Sequence, residues 1–483
     1  MAMPSRKRLV LWILLTFLIV FFGGIILYLA PLLFGETTYD AQGNPTREVN
    51  LFPFGANTDT GSPIDIIVQE PVATGGNGVQ TPNTRGNNEK RQDQLRQIDE
   101  GPVIGAFMFN GPRHSGLVGP VTATTTDRDV ENTFRYVELG TGHVFEGSTN
   151  NGEITRISNT TIPRIAEARF VNKDRIIMRY ADATDRIKTF SAELVRNFAD
   201  NSGTDFKLQG IFLQDNIFDL DSSPSGKLLQ VQEKISGVDR SAIVVSDELG
   251  GSPVQAFASP VTEWLGSWNG QDRTVLLQNK PSYNSVSTAY TLDTQTGTFT
   301  PYIAGRKGLS VLTTNDLSNA LLSVNENGAT KLYSWNRENN QYIDLDLSTF
   351  AEKCVYAPVR NKFYCAVPLE SIAEAEPDLW YQGVTKYTDQ IWEIDPVTGQ
   401  STLRLLPIQF TQDKLDMIDF SISADEQYIY FRDKTKRSLW SYQIDYEATN
   451  QVQVQIVEST TATNTVENLP EEEQEDDNVF FDQ

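Results

Sequence analysis

Between residues 416 and 445 the chain reads Asp-Met-Ile-Asp-Phe-Ser-Ile, then Ser-Ala-Asp-Glu, then Gln-Tyr-Ile-Tyr-Phe-Arg, and after a polar link Arg-Ser-Leu-Trp-Ser-Tyr-Gln-Ile-Asp. Three short runs rich in Ile, Tyr, Phe and Trp, parted by turn-forming residues, predict three antiparallel strands. The unit recurs upstream, most visibly in its second strand. That strand reads Phe134-Arg135-Tyr136-Val137, Arg175-Ile176-Ile177-Met178, Lys227-Leu228-Leu229-Gln230-Val231, Thr274-Val275-Leu276-Leu277, Ala320-Leu321-Leu322-Ser323-Val324, Lys362-Phe363-Tyr364-Cys365 and Tyr428-Ile429-Tyr430-Phe431. A period of roughly 40–50 residues is that of a four-stranded propeller blade. The expectation is an all-β, seven-bladed β-propeller, with six or eight blades as the neighbouring solutions. Residues 103–109 suit either the first strand of blade one or the strand that completes blade seven. Helical spacing occurs only at residues 191–199, enough for one turn or two.

The turns between third and fourth strands repeat as well. Tyr290-Thr-Leu-Asp293-Thr-Gln-Thr-Gly297 and Trp392-Glu-Ile-Asp395-Pro-Val-Thr-Gly399 are one hairpin, with Asp opening the turn and Gly taking its positive φ. Cys354 and Cys365 bracket a ten-residue stretch in which residues 358–361 make a tight turn, setting the two cysteines opposite each other. A disulfide there suits an oxidising compartment, and two buried thiols are the alternative. With His114 and His143 as the only histidines, a His-rich metal site is not expected, and no cofactor motif is present. His143 beside Gly142 reads as a structural hydrogen bonder. A formal charge of −23 argues against nucleic acid as a partner.

Arg6-Lys7-Arg8 precedes an apolar run at residues 9–34, about 26 residues, long enough to cross a bilayer with some tilt. The basic cluster before it predicts a single-pass transmembrane helix with residues 1–8 in the cytoplasm and the rest outside. Residues 35–100, rich in Asn, Thr, Gly, Pro and Gln, read as a disordered linker, residues 101–457 as the propeller, and residues 458–483 as a disordered acidic tail.

Ser-Pro-Ser-Gly-Lys at 223–227 and Ser-Ala-Asp-Glu-Gln at 423–427 resemble the Ser-x-Asp-Gly-Lys turn of TolB and YVTN-like propellers. A WD40-like pattern is not repeated, since Gly142-His143 has no Trp-Asp after it. The runs Arg135-Tyr136-Val137-Glu138, Gly140-Thr141-Gly142-His143-Val144, Ser158-Asn159-Thr160-Thr161-Ile162-Pro163, Thr262-Glu263-Trp264-Leu265 and Trp380-Tyr381-Gln382-Gly383 resemble membrane-anchored β-propeller proteins of candidate-phylum bacteria, a family without an assigned activity. That resemblance implies a bacterial cell envelope and transfers no catalytic residue.

In a propeller, loops joining blade to blade and second to third strands share one face. Sorted so, Trp264, Lys280, Tyr283, Arg306, Lys307, Trp380, Tyr381, Lys436 and Arg437 fall together, with a long insertion near residues 369–389, while Asp247, Glu248, Asp293, Asp395, Asp425, Glu426 and Asp445 fall opposite. Aromatic rings beside Lys and Arg suit a sugar ring, an anionic glycan or a peptide, so this is the expected binding face. Neither a Gly-x-Ser-x-Gly elbow nor a phosphate loop is present, and no carboxylate pair is singled out. The expected function is a membrane-anchored extracytoplasmic binding or scaffolding module for a protein partner or an envelope polymer. The alternatives are an extracytoplasmic enzyme acting on glycans or lactones, marked by clustered carboxylates around the axis, and a subunit of a secretion or pilus assembly.

Overall fold

The computed structural model describes residues 38–39, 45–46, 94–110, 132–148, 154–184, 186–196, 206–233, 238–268, 272–372 and 374–445. The apolar run at 9–34 and the tail at 458–483 lie outside them. Among the described residues no helix is long and apolar enough to cross a membrane.

Seven four-stranded antiparallel sheets follow one another along the chain. Blade one is Val103–Asn110, Asn132–Glu138, Val144–Ser148 and Ile154–Arg156, and blade two is Ile165–Asn172, Arg175–Ala181, Ile187–Arg196 and Phe206–Phe212. Blades three to six run from Ile217–Ser222 to Ser401–Leu405 in the same order. Blade seven takes Met417–Ile422, Tyr428–Asp433 and Leu439–Gln443, and its outer strand is Leu95–Asp99 from the other end of the propeller. Each run expected to form a second strand does so. These strands are buried along nearly their whole length, as in Asn319–Glu326 and Lys362–Pro368, because a neighbouring blade covers each face. They therefore read as apolar runs and not as alternations.

Blade packing closes the ring. One apolar cluster fills each junction, from Val144, Ile165 and Met178 between blades one and two to Tyr364, Ile391, Ile429 and Phe431 between six and seven. The last junction, between seven and one, holds Ile98, Val103, Phe134, Tyr136, Tyr430 and Leu439. Seven blades are thus the closed solution, and residues 103–109 begin blade one.

Two expectations change, and one open point is decided. The propeller begins at Leu95, inside the stretch expected to be linker. Leu95 pairs with Tyr442 and Asp99 with Leu439, and the buried Leu95 and Ile98 face neighbouring side chains. Residues 191–196 continue a strand and do not turn into a helix, because Ser191, Ala192 and Glu193 pair with strands on both sides, opposite Ile177, Ile176 and Arg175 on one and Ile211, Gly210 and Gln209 on the other. Cys354 and Cys365, open between bridged and free thiols, are opposed in register with Cα atoms 4.0 Å apart and form a disulfide.

The inner edge of each first strand faces the axis and has no strand to pair with, so its amides and carbonyls need other partners. Side chains of the preceding blade supply many of them. Arg179 donates to the carbonyls of Ile217 and Phe218, at 2.9 and 2.8 Å. Asp219 and Asp221 accept from the Gly266 and Trp268 amides at 2.7 and 2.8 Å. Gln278 accepts from Val311 at 2.9 Å, Asp389 from Met417 at 2.6 Å, and Arg432 donates to Val103 at 2.8 Å. Blades one and two approach still more closely: a methyl group at Gly105 would land on the Ala168 carbonyl oxygen. Gly105→Ala is therefore expected to lower stability by about 1–3 kcal/mol in urea unfolding, since backbone and not a flexible side chain must yield.

Candidate binding face

The strand order puts the blade-to-blade and second-to-third-strand loops on one face, and the insertion at residues 369–388 is the longest described loop there. It leaves the second strand of blade six at Pro368 and returns at Asp389. Pro377 precedes one short helical turn, Asp378–Tyr381, and the Glu376 carboxylate accepts the Trp380 amide at 2.8 Å, satisfying a donor the turn leaves over. The turn reaches several blades. Asp378 accepts from the Tyr283 amide of blade four at 2.6 Å. Tyr381 donates its hydroxyl to Glu352, on the connection from blade five to blade six. Trp380 donates its indole N–H to Asp416 at 3.0 Å, at the entry to blade seven. Phe350, Trp380, Tyr381, Tyr387 and Ile418 form an apolar cluster beneath it.

A buried charge network lies under this cluster. The Lys353 ammonium contacts Asp389 at 2.7 Å and Asp416 at 2.8 Å, and all three side chains are shut off from solvent. Burial works against the ammonium, but the two carboxylates hold it above the ordinary lysine range. One cation faces two carboxylates: burial drives the Asp389 carboxyl up against the pull of Lys353, and Asp416 adds to the rise. Lys434 donates to the Trp380 carbonyl and sits 4.0 Å from the centroid of its ring. Burial lowers the Lys434 ammonium to about 8. Glu352 is pushed up to about 7 by burial, against the pull of the Tyr381 hydrogen bond, Lys280 and Lys434, and its Oε2 has no hydrogen-bond partner.

The expected site residues share this face, but not in the expected manner. Trp264, Trp380 and Tyr381 are only 3, 2 and 6% exposed, so none is an open aromatic platform. Trp264 packs edge-on against Tyr290 and Phe299, inside the junction of blades three and four. Lys280 lies 5.1 Å from the Tyr381 ring centroid, and Tyr283 is tied to the insertion through its amide. Arg306 stacks over Tyr342 and reaches Glu326 at 3.6 Å, while Lys307 is exposed beside it. Lys436 pairs with Asp413 at 2.7 Å, and the Arg437 carbonyl accepts from Val103. Carboxylates thus accompany the basic residues. Exposed apolar side chains are the feature sequence reasoning missed: Val261, Val286, Leu369, Val384 and Ile408 all lie on loops or strand ends of this face. Val384 and Ile408 are 68 and 60% exposed.

His143 bonds Thr161 at 3.1 Å across to the next connection, in keeping with a structural role. Around the axis, Glu167 pairs with Arg179, Asp221 with Arg169 and Asp419 with Arg432. Asp219, pushed up to about 6 by burial, accepts the Gly266 amide. Among the described residues no group of His, Cys, Asp and Glu is arranged to hold a metal ion.

The fold is that of a seven-bladed β-propeller. No protein-family model matches the chain, and no curated protein matches it in sequence. Among solved structures, TolB from Acinetobacter baumannii is 12% identical, with 71% of this chain and 80% of that one covered and a TM-score of 0.36. An oligogalacturonate lyase from Vibrio parahaemolyticus is 7% identical, with 71% and 98% covered and a TM-score of 0.40. An uncharacterised protein from Listeria monocytogenes is 15% identical, with 66% and 93% covered and a TM-score of 0.38. Likeness at this level concerns the fold alone, and the fold rests on the seven sheets themselves.

Proposed function

We propose that this chain is an extracytoplasmic binding or scaffolding module, anchored in the cytoplasmic membrane through residues 9–34, that recognises a protein partner or an envelope polymer with the face carrying the insertion. The observation that carries this reading is the fixed insertion. Residues 374–388, held by the Tyr283 amide of blade four and by the side chains of Glu352, Asp416 and Lys434, are in place before any partner arrives, so binding need not meet the entropy of ordering them. The insertion's outward residues, Leu369 and Val384 with Lys386, combine apolar contact with charge, as a protein-binding surface requires. The disulfide suits the oxidising side of a membrane.

A second reading, an enzyme acting on glycans or lactones, draws on Asp219. A carboxyl pushed up to about 6 at the inner edge of blade three is a candidate proton donor. Its neighbours Glu167, Asp221 and Asp419 are engaged by arginines, which favours the binding reading.

The test is retention of components from membrane and wall fractions on the full-length protein in mild detergent, with Val384→Asp, Ile408→Asp and, on the other face, Val359→Asp. A defined component is expected to be retained by the wild type and by Val359→Asp, and lost at least about tenfold with either of the first two, roughly 1.4 kcal/mol. Retention of nothing, or retention indifferent to all three, would sink the face assignment. Turnover of a wall glycan abolished by Asp219→Asn would establish the second reading.

A further inference from the structure

Glu352 is a half-buried residue whose Oε2 is shut off from solvent, and its placement is unusual. It sits on the connection between blades five and six, and one carboxyl oxygen accepts the Tyr381 hydroxyl while the other is buried with no hydrogen-bond partner. A neutral carboxyl tolerates that arrangement. An anion does not, because a buried charge needs hydrogen bonds on both oxygens or a cation in contact. The cations nearby are Lys280, placed over the Tyr381 ring, and Lys434, which is committed to the Trp380 carbonyl.

We propose that residues 374–388 of the insertion form a pH-responsive latch: they close over a neutral Glu352, and ionisation of that carboxyl, which must then reach water, loosens them from the propeller. This rests on reading the same face as the binding surface, and it adds regulation to it. Three elements contribute titratable groups around this carboxyl. Blade four brings Lys280, the second-to-third-strand loop of blade seven brings Lys434, and the insertion brings Asp378, Glu376 and Tyr381. Lys353, next in sequence to Glu352, points instead to Asp389 and Asp416. Tyr381 stays protonated throughout, since burial and then Glu352 hold its hydroxyl well above the ordinary tyrosine range.

The sign follows from proton linkage. Glu352 is raised from 4.5 to about 7 in the folded protein, so its contribution is fully present below about 4.5 and is lost as pH rises through about 7. Lys434 has the opposite sign. It is lowered to about 8, so docking favours its neutral form and its contribution grows above that pH. The latch is therefore read between pH 5.5 and 7.5.

The experiment is hydrogen exchange of the full-length protein without any partner, followed by mass spectrometry and normalised to intrinsic rates at each pH. Peptides from residues 374–388 are compared with reference peptides from the strand Lys362–Pro368. Wild-type protection of the insertion is expected to fall by about tenfold or more between pH 5.5 and 7.5 while the strand stays constant. In Glu352→Gln the insertion should keep one level of protection at both pH values. Tyr381→Phe, which keeps the carboxyl and removes one of several contacts, should be less protected than wild type at pH 5.5 and should still lose protection by pH 7.5. An insertion whose protection ignores pH, an unchanged pH dependence in Glu352→Gln, or wild-type protection in Tyr381→Phe at pH 5.5 would each overturn the latch. Failure of the binding assay alone would leave these readings untouched, which separates the two claims.

Discussion

Lys353→Met is expected to lower folding stability by about 3–5 kcal/mol, the cost of leaving buried charge without its partner. The lysine is the one cation in contact with both Asp389 and Asp416. Methionine fills much of the same volume but leaves the two carboxylates facing each other. They cannot both stay ionised, so one must take up a proton that the unfolded chain does not hold at neutral pH. Relative to wild type, the variant should therefore lose more stability at pH 8 than at pH 5. Urea unfolding at the two pH values checks this. Equal losses at both, or a loss below about 1 kcal/mol, would mean that the triad does not hold the blade junction. Adding Asp389→Asn and Asp416→Asn to Lys353→Met should restore part of the loss, because replacing a whole buried ionic set is far milder than removing one member.

A fragment of residues 101–445 is expected to be less stable than one of residues 94–445 by roughly 3–6 kcal/mol, an upper estimate from the burial of two large apolar side chains. The difference is the strand Leu95–Asp99, whose Leu95 and Ile98 are buried and whose ladder covers Leu439–Gln443. Without it the third strand of blade seven becomes an open edge, a template for pairing with another molecule. Unfolding in urea measures the first effect, and light scattering across a concentration series measures the second. Matching midpoints and matching masses would show that the ring does not depend on this strand.

The same strand marks where the sequence could be read and where it could not. Second strands such as Ala320-Leu321-Leu322-Ser323-Val324 are sandwiched between blades, so burial on both sides writes an apolar run into the chain. Leu-Arg-Gln-Ile-Asp at the outer rim has two buried positions in five, and its partner strand lies more than 300 residues away. Nothing local announces that pairing. The face of the loops was legible by counting strands, since direction alternates at each turn. What the loops expose was not. Trp380 reads as a surface ring in a polar insertion, and it is buried because Asp416 and Lys434, 36 and 54 residues away, close around it. Lys353 and Asp416 are 63 residues apart, and each stands just before a strand, where a charged residue ordinarily reads as solvated.

Whether the insertion face meets a partner is read out by site-specific photo-crosslinking in cells that make the protein. A crosslinking side chain is placed at Val384, on the insertion, or at Val359, on the opposite hairpin, both of which are exposed. A discrete adduct from position 384 and none from position 359 is the predicted result. Adducts from position 359 alone, or from neither, would contradict the account.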